Sequence, residues 1–148
     1  STGNTEKVAK EIAKCLHADL KKANEVSKED ISKYKTIGFG SGIYFSRMHK
    51  KIIELIKSLD DKNMKNKEKK VFLFATSGRG SIPVFHDFFR TPKKLLEKKG
   101  YEIIGLFECR GIDKVGPLKW FGGINKGRPC RKDFEKAKCF SEKIKKFC

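Results

Sequence analysis

Two patterns of apolar residues alternate along the chain: short continuous runs and stripes at helical spacing. Residues 71–75 form an unbroken apolar run of strand length, which is typical of a strand buried on both faces of a sheet. Met48 and Ile52 instead begin an apolar stripe at helical spacing that runs on to Leu59. The same patterns predict strands at 36–42 and 101–109, a weak edge strand at 18–26, a short turn or helical link at 27–34, and helices that begin near Asn4, Pro92 and Pro129. The last helix is expected to turn inward Phe134, Ala137, Phe140, Ile144 and Phe147.

Strands that alternate with helices predict a parallel sheet covered by helices on both faces, within one domain over residues 1–148. In such open sheets a ligand binds beyond the carboxyl ends of the strands. Three loops that would leave from this edge, 1–5, 40–47 and 76–81, are rich in Gly, Ser or Thr. A helix bundle or a β-sandwich would not have a loop of small residues after each apolar strand. We therefore expect a ligand-binding α/β domain.

The first five residues, Ser1, Thr2, Gly3, Asn4 and Thr5, lead directly into the first helix. Hydroxyls, a glycine and the N–H groups of a first helical turn suit a phosphate, because the helix dipole favours an anion there. An ordinary capped helix is an equally good interpretation, since Ser, Thr and Asn cap helices without any ligand. Neither a dinucleotide fingerprint nor a P-loop is present.

The composition narrows the classes of partner. A formal net charge of +17 favours acidic partners, although solvated helix faces rich in lysine would give the same charge. Specific nucleic-acid binding is not expected, because the aromatic stacking motifs of such modules are missing. Five scattered cysteines without a CxxC pair indicate reduced thiols and a cytoplasmic location, and no run is long and apolar enough to span a membrane. The histidines and carboxylates form no metal or hydrolase motif.

The small-residue loops also resemble those of a known family. Residues 1–5 resemble the end of the phosphate-binding loop of flavodoxins, which joins the first strand to the first helix. Residues 40–44 and 75–78 resemble the two flavin-ring loops, and 116–129 resembles a stretch from one bacterial and archaeal branch. The resemblance implies a flavodoxin-like three-layer α/β sandwich with a parallel sheet of strand order 2-1-3-4-5. The central first strand is absent from this sequence, so we expect about ten further residues upstream.

The resemblance implies that flavin mononucleotide (FMN) is the cofactor, with its phosphate on residues 1–5 and its ring between the other two loops. Tyr44 is the first choice for a stacking contact and Phe45 the second, although Phe45 is more naturally interpreted as a core residue. Arg79 would stabilise negative charge near the reduced ring, unless it faces solvent. The expected ring-side contacts are Ser41, Gly42, Ile43, Tyr44, Phe45, Thr76, Ser77, Gly78, Arg79 and Gly80.

Two functions fit this resemblance. The favoured one is a low-potential electron carrier that serves an acidic redox partner protein, and the alternative is an FMN-dependent oxidoreductase of the quinone or protoporphyrinogen type. Flavodoxins are usually acidic, so this chain departs from the family in its charge.

A long Gly-rich loop at 112–130 follows the last strand and is expected to lie at the flavin end of the sheet. Its Trp120 and Phe121 would dock the partner, although both rings would equally well plug the loop onto the domain. Residues 109–111 are a further rim element, in which Cys109 is interpreted as a packing residue rather than a reactive thiol.

Overall fold

The computed structural model describes residues 3–60, 69–78, 87–111 and 129–148. Helices and strands alternate through most of these ranges, as the apolar pattern predicts. The elements in chain order are α1 (Asn4–Leu16), α2 (Lys28–Ser32), β1 (Thr36–Tyr44), β2 (Arg47–Met48), α3 (Lys50–Ser58), β3 (Lys70–Ser77), α4 (Arg90–Lys98), β4 (Glu102–Arg110) and α5 (Arg131–Lys145). No helix within the described ranges is long and apolar enough to cross a membrane.

The described strands form one sheet in the order β2-β1-β3-β4. The strands β1, β3 and β4 are parallel, with Thr36 paired to Lys70 and Lys70 paired to Glu102. The two-residue strand β2 is antiparallel to the end of β1. Because β3 is flanked on both sides, all of its residues from Val71 to Ser77 are buried. The prediction of an interior apolar strand at 71–75 is therefore confirmed.

The side chains of β3 alternate between the two faces of the sheet. Val71, Leu73 and Ala75 pack with Ile56 of α3 and Leu96 of α4 on one face. The opposite face is covered by α1 and α5 in a second cluster of Val8, Ile12, Phe72, Phe74, Phe107, Ala137 and Ile144. Each Val, Leu, Ile or Phe side chain among them contributes about 1.5–3 kcal/mol when fully buried. The architecture is the flavodoxin-like three-layer α/β sandwich with parallel strands that the resemblance implies.

Two glycines of β1 make room for the aromatic side of this core. A side-chain carbon on Gly38 would overlap the Phe72 ring, and one on Gly40 would overlap the Phe74 ring. Gly40 therefore belongs to the strand interior, because β1 continues to Tyr44 and the loop expected over 40–47 does not begin at Gly40. The glycine at this position serves packing rather than a ligand.

The weak edge strand predicted at 18–26 is wrong. These residues contain no strand, and Leu20 is 47% exposed. Only Val26 of this segment packs against the core cluster. Within the described ranges, no strand pairs with β1 along the side opposite β3 before the β2 turn at its end. A short segment with so few buried apolar groups gains little by extending beside the sheet.

Two other assignments also need correction. Met48 was expected to open a helix, but it lies in β2, pairs with Ile43 and is 4% exposed. A β-hairpin turns Met48 back onto the core. Met48 is therefore buried at a position that also fits the helical spacing of the α3 stripe. Phe147 was expected to face inward, but it lies beyond the end of α5 and is 43% exposed, with the Lys70 ammonium 5.8 Å from its ring centroid.

Candidate functional site

The described parts of the three small-residue loops meet at the carboxyl edge of the sheet. The hydroxyls of Thr5 and Thr76 share a hydrogen bond of 2.6 Å, which joins the start of α1 to the end of β3. A side-chain carbon on Gly42 would lie 3.4 Å from Thr5 Oγ1 and 3.3 Å from the Tyr44 ring. Thr5, Gly42, Tyr44 and Thr76 are therefore neighbours, although they come from three separate parts of the chain.

The start of α1 is formed by a glycine. Gly3 occupies the N-cap position with φ 69°, a left-handed conformation that glycine adopts without strain, and its carbonyl accepts from the Lys7 N–H at 3.1 Å. No described side chain caps this helix end. Asn4 is the first helical residue and is 5% exposed, so it does not act as a solvent-facing cap. Ser1 and Thr2, which are the other candidate caps, lie outside the described residues.

A polar cluster of Ser77, Glu108 and Gly111 lies between the ends of β3 and β4. The Ser77 hydroxyl donates to Glu108 Oε1 at 3.0 Å, and the Gly111 N–H donates to the Ser77 carbonyl at 2.8 Å. A side-chain carbon on Gly111 would lie 2.8 Å from Asn4 Nδ2, so the start of α1 packs closely against this polar cluster. Cys109 is 5% exposed within the apolar cluster on the α1 and α5 face, which agrees with its interpretation as a packing residue.

The segment after β1 folds into a tight hairpin. Tyr44 pairs with Arg47, and Phe45 and Ser46 form the two-residue turn with φ values of 48° and 61°. Positive φ at both central residues is the pattern of a type I′ turn, which normally uses Asn or Gly. Phe45 is 95% exposed, so its interpretation as a core residue is wrong. Tyr44 is 44% exposed, as expected for a ring-contact candidate.

Ser41 fixes the hairpin to the strand. Its hydroxyl donates to the Gly42 carbonyl at 2.6 Å and accepts from the His49 N–H at 2.7 Å, and the residue is 3% exposed. His49 in turn caps α3, because its Nδ1 accepts from the Lys51 N–H at 3.2 Å. The imidazole also lies edge-on to the Tyr44 ring, with centroids 5.5 Å apart. These contacts orient Tyr44 at the site.

Sequence reasoning missed two contributors to this edge. Glu108 is a carboxylate near the end of an apolar strand, and His49 directly precedes a helical stripe; both are signals that a sequence can carry. Ser1, Thr2, Arg79 and Gly80 lie outside the described residues. The expected docking loop is likewise outside them over 112–128, with Trp120 and Phe121. Within the described ranges, no group of three His, Cys, Asp or Glu side chains could hold a metal ion.

Comparison with known proteins identifies the family. Residues 1–110 match the family described as "Flavodoxin domain", which is well over half of the chain, so this protein belongs to the flavodoxin family. An uncharacterized protein of Methanocaldococcus jannaschii, MJ0298, is 42% identical over 144 residues, covering 97% of this chain and 91% of the relative. Family membership implies a flavin cofactor and electron transfer at a general level.

Solved structures agree on the fold. Flavodoxin 1 from Bacillus cereus superposes with a TM-score of 0.69 at 16% identity, over 99% of this chain and 92% of its own. The rubredoxin oxygen:oxidoreductase of Desulfovibrio gigas matches with a TM-score of 0.69 at 13% identity, over 99% of this chain. This chain spans only 33% of that longer protein. At these identities the likeness concerns the fold alone.

Proposed function

We propose that this protein is a low-potential electron carrier that uses FMN, held by one domain over residues 1–148. The observation that carries the proposal is the 2.6 Å hydrogen bond between Thr5 and Thr76. It joins the loop expected to hold the phosphate to the loop expected to hold the ring, at the edge where open α/β sheets bind ligands. The cytoplasmic location and an acidic redox partner belong to the same proposal.

The phosphate would lie on residues 1–5 at the start of α1. Gly3 allows close approach of the backbone, and the helix dipole favours an anion at a turn that no described side chain caps. Glu6 also lies in this turn, but its carboxylate pairs with the Lys10 ammonium at 2.8 Å. That hydrogen bond and the positive charge of Lys10 lower the pKa of Glu6. The pair leaves little net negative charge to oppose a phosphate.

The ring would lie between the hairpin and the end of β3. Tyr44 would stack on it, and the backbone N–H groups of Gly42, Ser77 and Gly78 would face its polar edge. Bound FMN supplies the capacity to take up and release one or two electrons. An aromatic face disfavours negative charge on the reduced ring, so Tyr44 would lower the reduction potential. Phe45, 95% exposed at the hairpin tip, stays the second choice for a ring contact after Tyr44.

The remaining expected contacts complete the proposed pocket. Ser41 would act through the hairpin, because its hydroxyl is engaged by Gly42 and His49. Ile43 would shape the strand side of the pocket. Arg79 and Gly80 stay predictions from the resemblance, as do Ser1 and Thr2.

The experiment is a titration of the purified protein with FMN, followed by absorbance and flavin fluorescence. We expect saturation at one FMN per chain and binding at least tenfold tighter than that of riboflavin, which lacks the phosphate. Equal affinity for the two flavins would contradict the phosphate assignment, and no binding of either would overturn the function. Steady turnover of quinones by the flavin-loaded protein would favour the oxidoreductase alternative instead.

A further inference from the structure

Cations lie at two helix N-termini where the helix dipole disfavours them. Helix α3 begins with Lys50 and Lys51 and α4 with Arg90, and neither helix has an acidic residue in its first turn. At α4, however, the Asp87 carboxylate directly before the helix accepts from the Phe89 N–H at 3.0 Å. In contrast, α1, α2 and α5 each have one or more acidic residues there. Both basic starts lie at the carboxyl edge of the sheet, because α3 and α4 follow parallel strands and run back toward the amino edge.

Phe45, at the same edge, combines an unfavourable backbone conformation with an exposed side chain. It is held at φ 48° in a turn that normally uses Asn or Gly, and 95% of it is exposed. A bulky residue in the left-handed region is strained, and an exposed ring gains nothing from burial. Folding stability therefore does not account for a phenylalanine at this position.

The Phe45 turn leads directly into the basic start of α3. Phe45, Arg47, Lys50 and Lys51 are called the basic rim. No acidic residue occurs between Phe45 and Lys51. Lys50 pairs with Glu54 at 3.3 Å, whereas Arg47 and Lys51 form no ion pair within the described part of the chain. The rim thus presents one exposed aromatic ring beside largely uncompensated positive charge.

We propose that the basic rim docks an acidic protein, with Phe45 as its apolar anchor. Aromatic residues and arginine are enriched in protein interfaces, and Phe45 lies two positions from Arg47. Positive potential also speeds encounter with an acidic partner and selects against basic ones. A membrane surface fits less well, because attachment takes a continuous apolar face and the rim offers a single ring. The inference rests on the proposed function, since the partner would exchange electrons with a flavin at this edge.

The test is calorimetric titration of the FMN-loaded protein with a small acidic ferredoxin at low and moderate salt. We expect Lys50→Glu combined with Lys51→Glu to weaken binding at least tenfold, and Phe45→Asn to do the same. The matched charge control is Lys136→Glu with Lys143→Glu on α5, which changes the net charge equally on another surface. Leu20→Ser is the control for loss of an exposed apolar side chain. Neither control should change the affinity more than about twofold.

Phe45→Asn gives a second readout. Asn suits the left-handed turn, so the melting temperature of the variant should equal that of the parent protein or exceed it by a few degrees. Ferredoxin binding should be lost at the same time. Ferredoxin affinity that does not respond to the rim variants would overturn the proposal. It would also fail if phosphatidylserine vesicles or duplex DNA bound the rim more tightly than the ferredoxin. Rim-dependent ferredoxin binding by a protein that takes up no FMN would instead defeat the proposed function and leave the docking surface standing.

Discussion

The hydroxyls of Thr5 and Thr76 lie 2.6 Å apart, although 71 positions separate the two residues in the chain. Thr5 stands in the first turn of α1, and Thr76 lies near the end of the central strand with 6% of its surface exposed. Their hydrogen bond locks the helix start to the strand end. It therefore sets the relative position of two loops that a ligand at this edge would have to contact together.

Replacing Thr76 with Val removes this hydrogen bond while keeping the side-chain volume. We expect the free energy of unfolding to fall by about 0.5–1.5 kcal/mol and FMN to bind about two- to tenfold more weakly. Denaturant unfolding and FMN titration measure the two effects. Thr91→Val, at an exposed threonine of α4, is the control and should change neither. A double-mutant cycle with Thr5→Val that shows no coupling would contradict the assigned role.

Gly40 can be tested against Gly42, its neighbour on the same strand. Gly40→Ala places a carbon into the Phe74 ring, so we expect the free energy of unfolding to fall by about 1–3 kcal/mol. Gly42→Ala meets no atom nearer than 3.3 Å and should cost less in stability. Adding Phe74→Leu should partly restore Gly40→Ala, because the smaller side chain frees the space. Chemical denaturation of these three variants and of Phe74→Leu alone checks the order.

Tyr44→Leu tests the proposed stacking contact. Loss of the aromatic face should weaken FMN binding. It should also raise the reduction potential by on the order of 10–30 mV, since the Tyr44 ring would no longer disfavour negative charge on the reduced flavin. Potentiometric titration of the loaded protein measures this shift. Phe45→Leu should leave the potential where it is. An equal shift in both variants would place Phe45 at the ring and defeat the assignment.

Asp30 gives a prediction for acid stability. Ser27 and Asp30 form a reciprocal capping box at the start of α2, with Ser27 N–H to Asp30 Oδ2 at 3.3 Å and Asp30 N–H to Ser27 Oγ at 3.1 Å. The Ser27 backbone bond, and then Lys21, lower the pKa of Asp30 from its ordinary value of 3.8. The folded state therefore holds this proton less tightly than the unfolded state does. Its stabilisation is present above about pH 4 and is lost as the pH falls through the lowered pKa.

Asp30→Asn measures that contribution directly. The variant should be less stable than the parent protein at pH 7, and the difference should shrink as both are taken to lower pH. Urea unfolding across an acid series provides the data. Glu102→Gln is a control, because it also removes one negative charge, at an exposed residue of β4, but leaves this capping box intact. A stability difference independent of pH would show that Asp30 acts through something other than its charge.

Local pattern was enough to predict several elements. The apolar run at 71–75 has the length and composition of an interior strand, and the stripe from Ile52 to Leu59 has a helical period. The run lies within β3, and the stripe covers most of α3 and its C-cap. Such patterns are reliable because burial on one or both faces of an element repeats with that element's own geometry.

The errors arose where a chain reversal interrupts the pattern. Met48 has the right spacing for the α3 stripe, yet a two-residue turn at Phe45 and Ser46 places it in β2. Neither turn residue is Gly or Asn, so the hairpin has no ordinary turn signal in the sequence. Phe45 was interpreted as core because its hydrophobicity is visible in the sequence and its position at a hairpin tip is not.

By itself, the sequence determined the small-residue loops, the helix start at Asn4 and the excess of basic residues. Only the tertiary structure decided that Thr5 meets Thr76, that Ser77 donates to Glu108, and that Lys69 holds the end of α2 by donating to the carbonyls of Ile31, Ser32 and Tyr34. It also decided that Phe45 is exposed at the tip of a hairpin. The physical reason is that periodicity records which face of an element is buried, whereas contacts between distant residues depend on how the elements pack together.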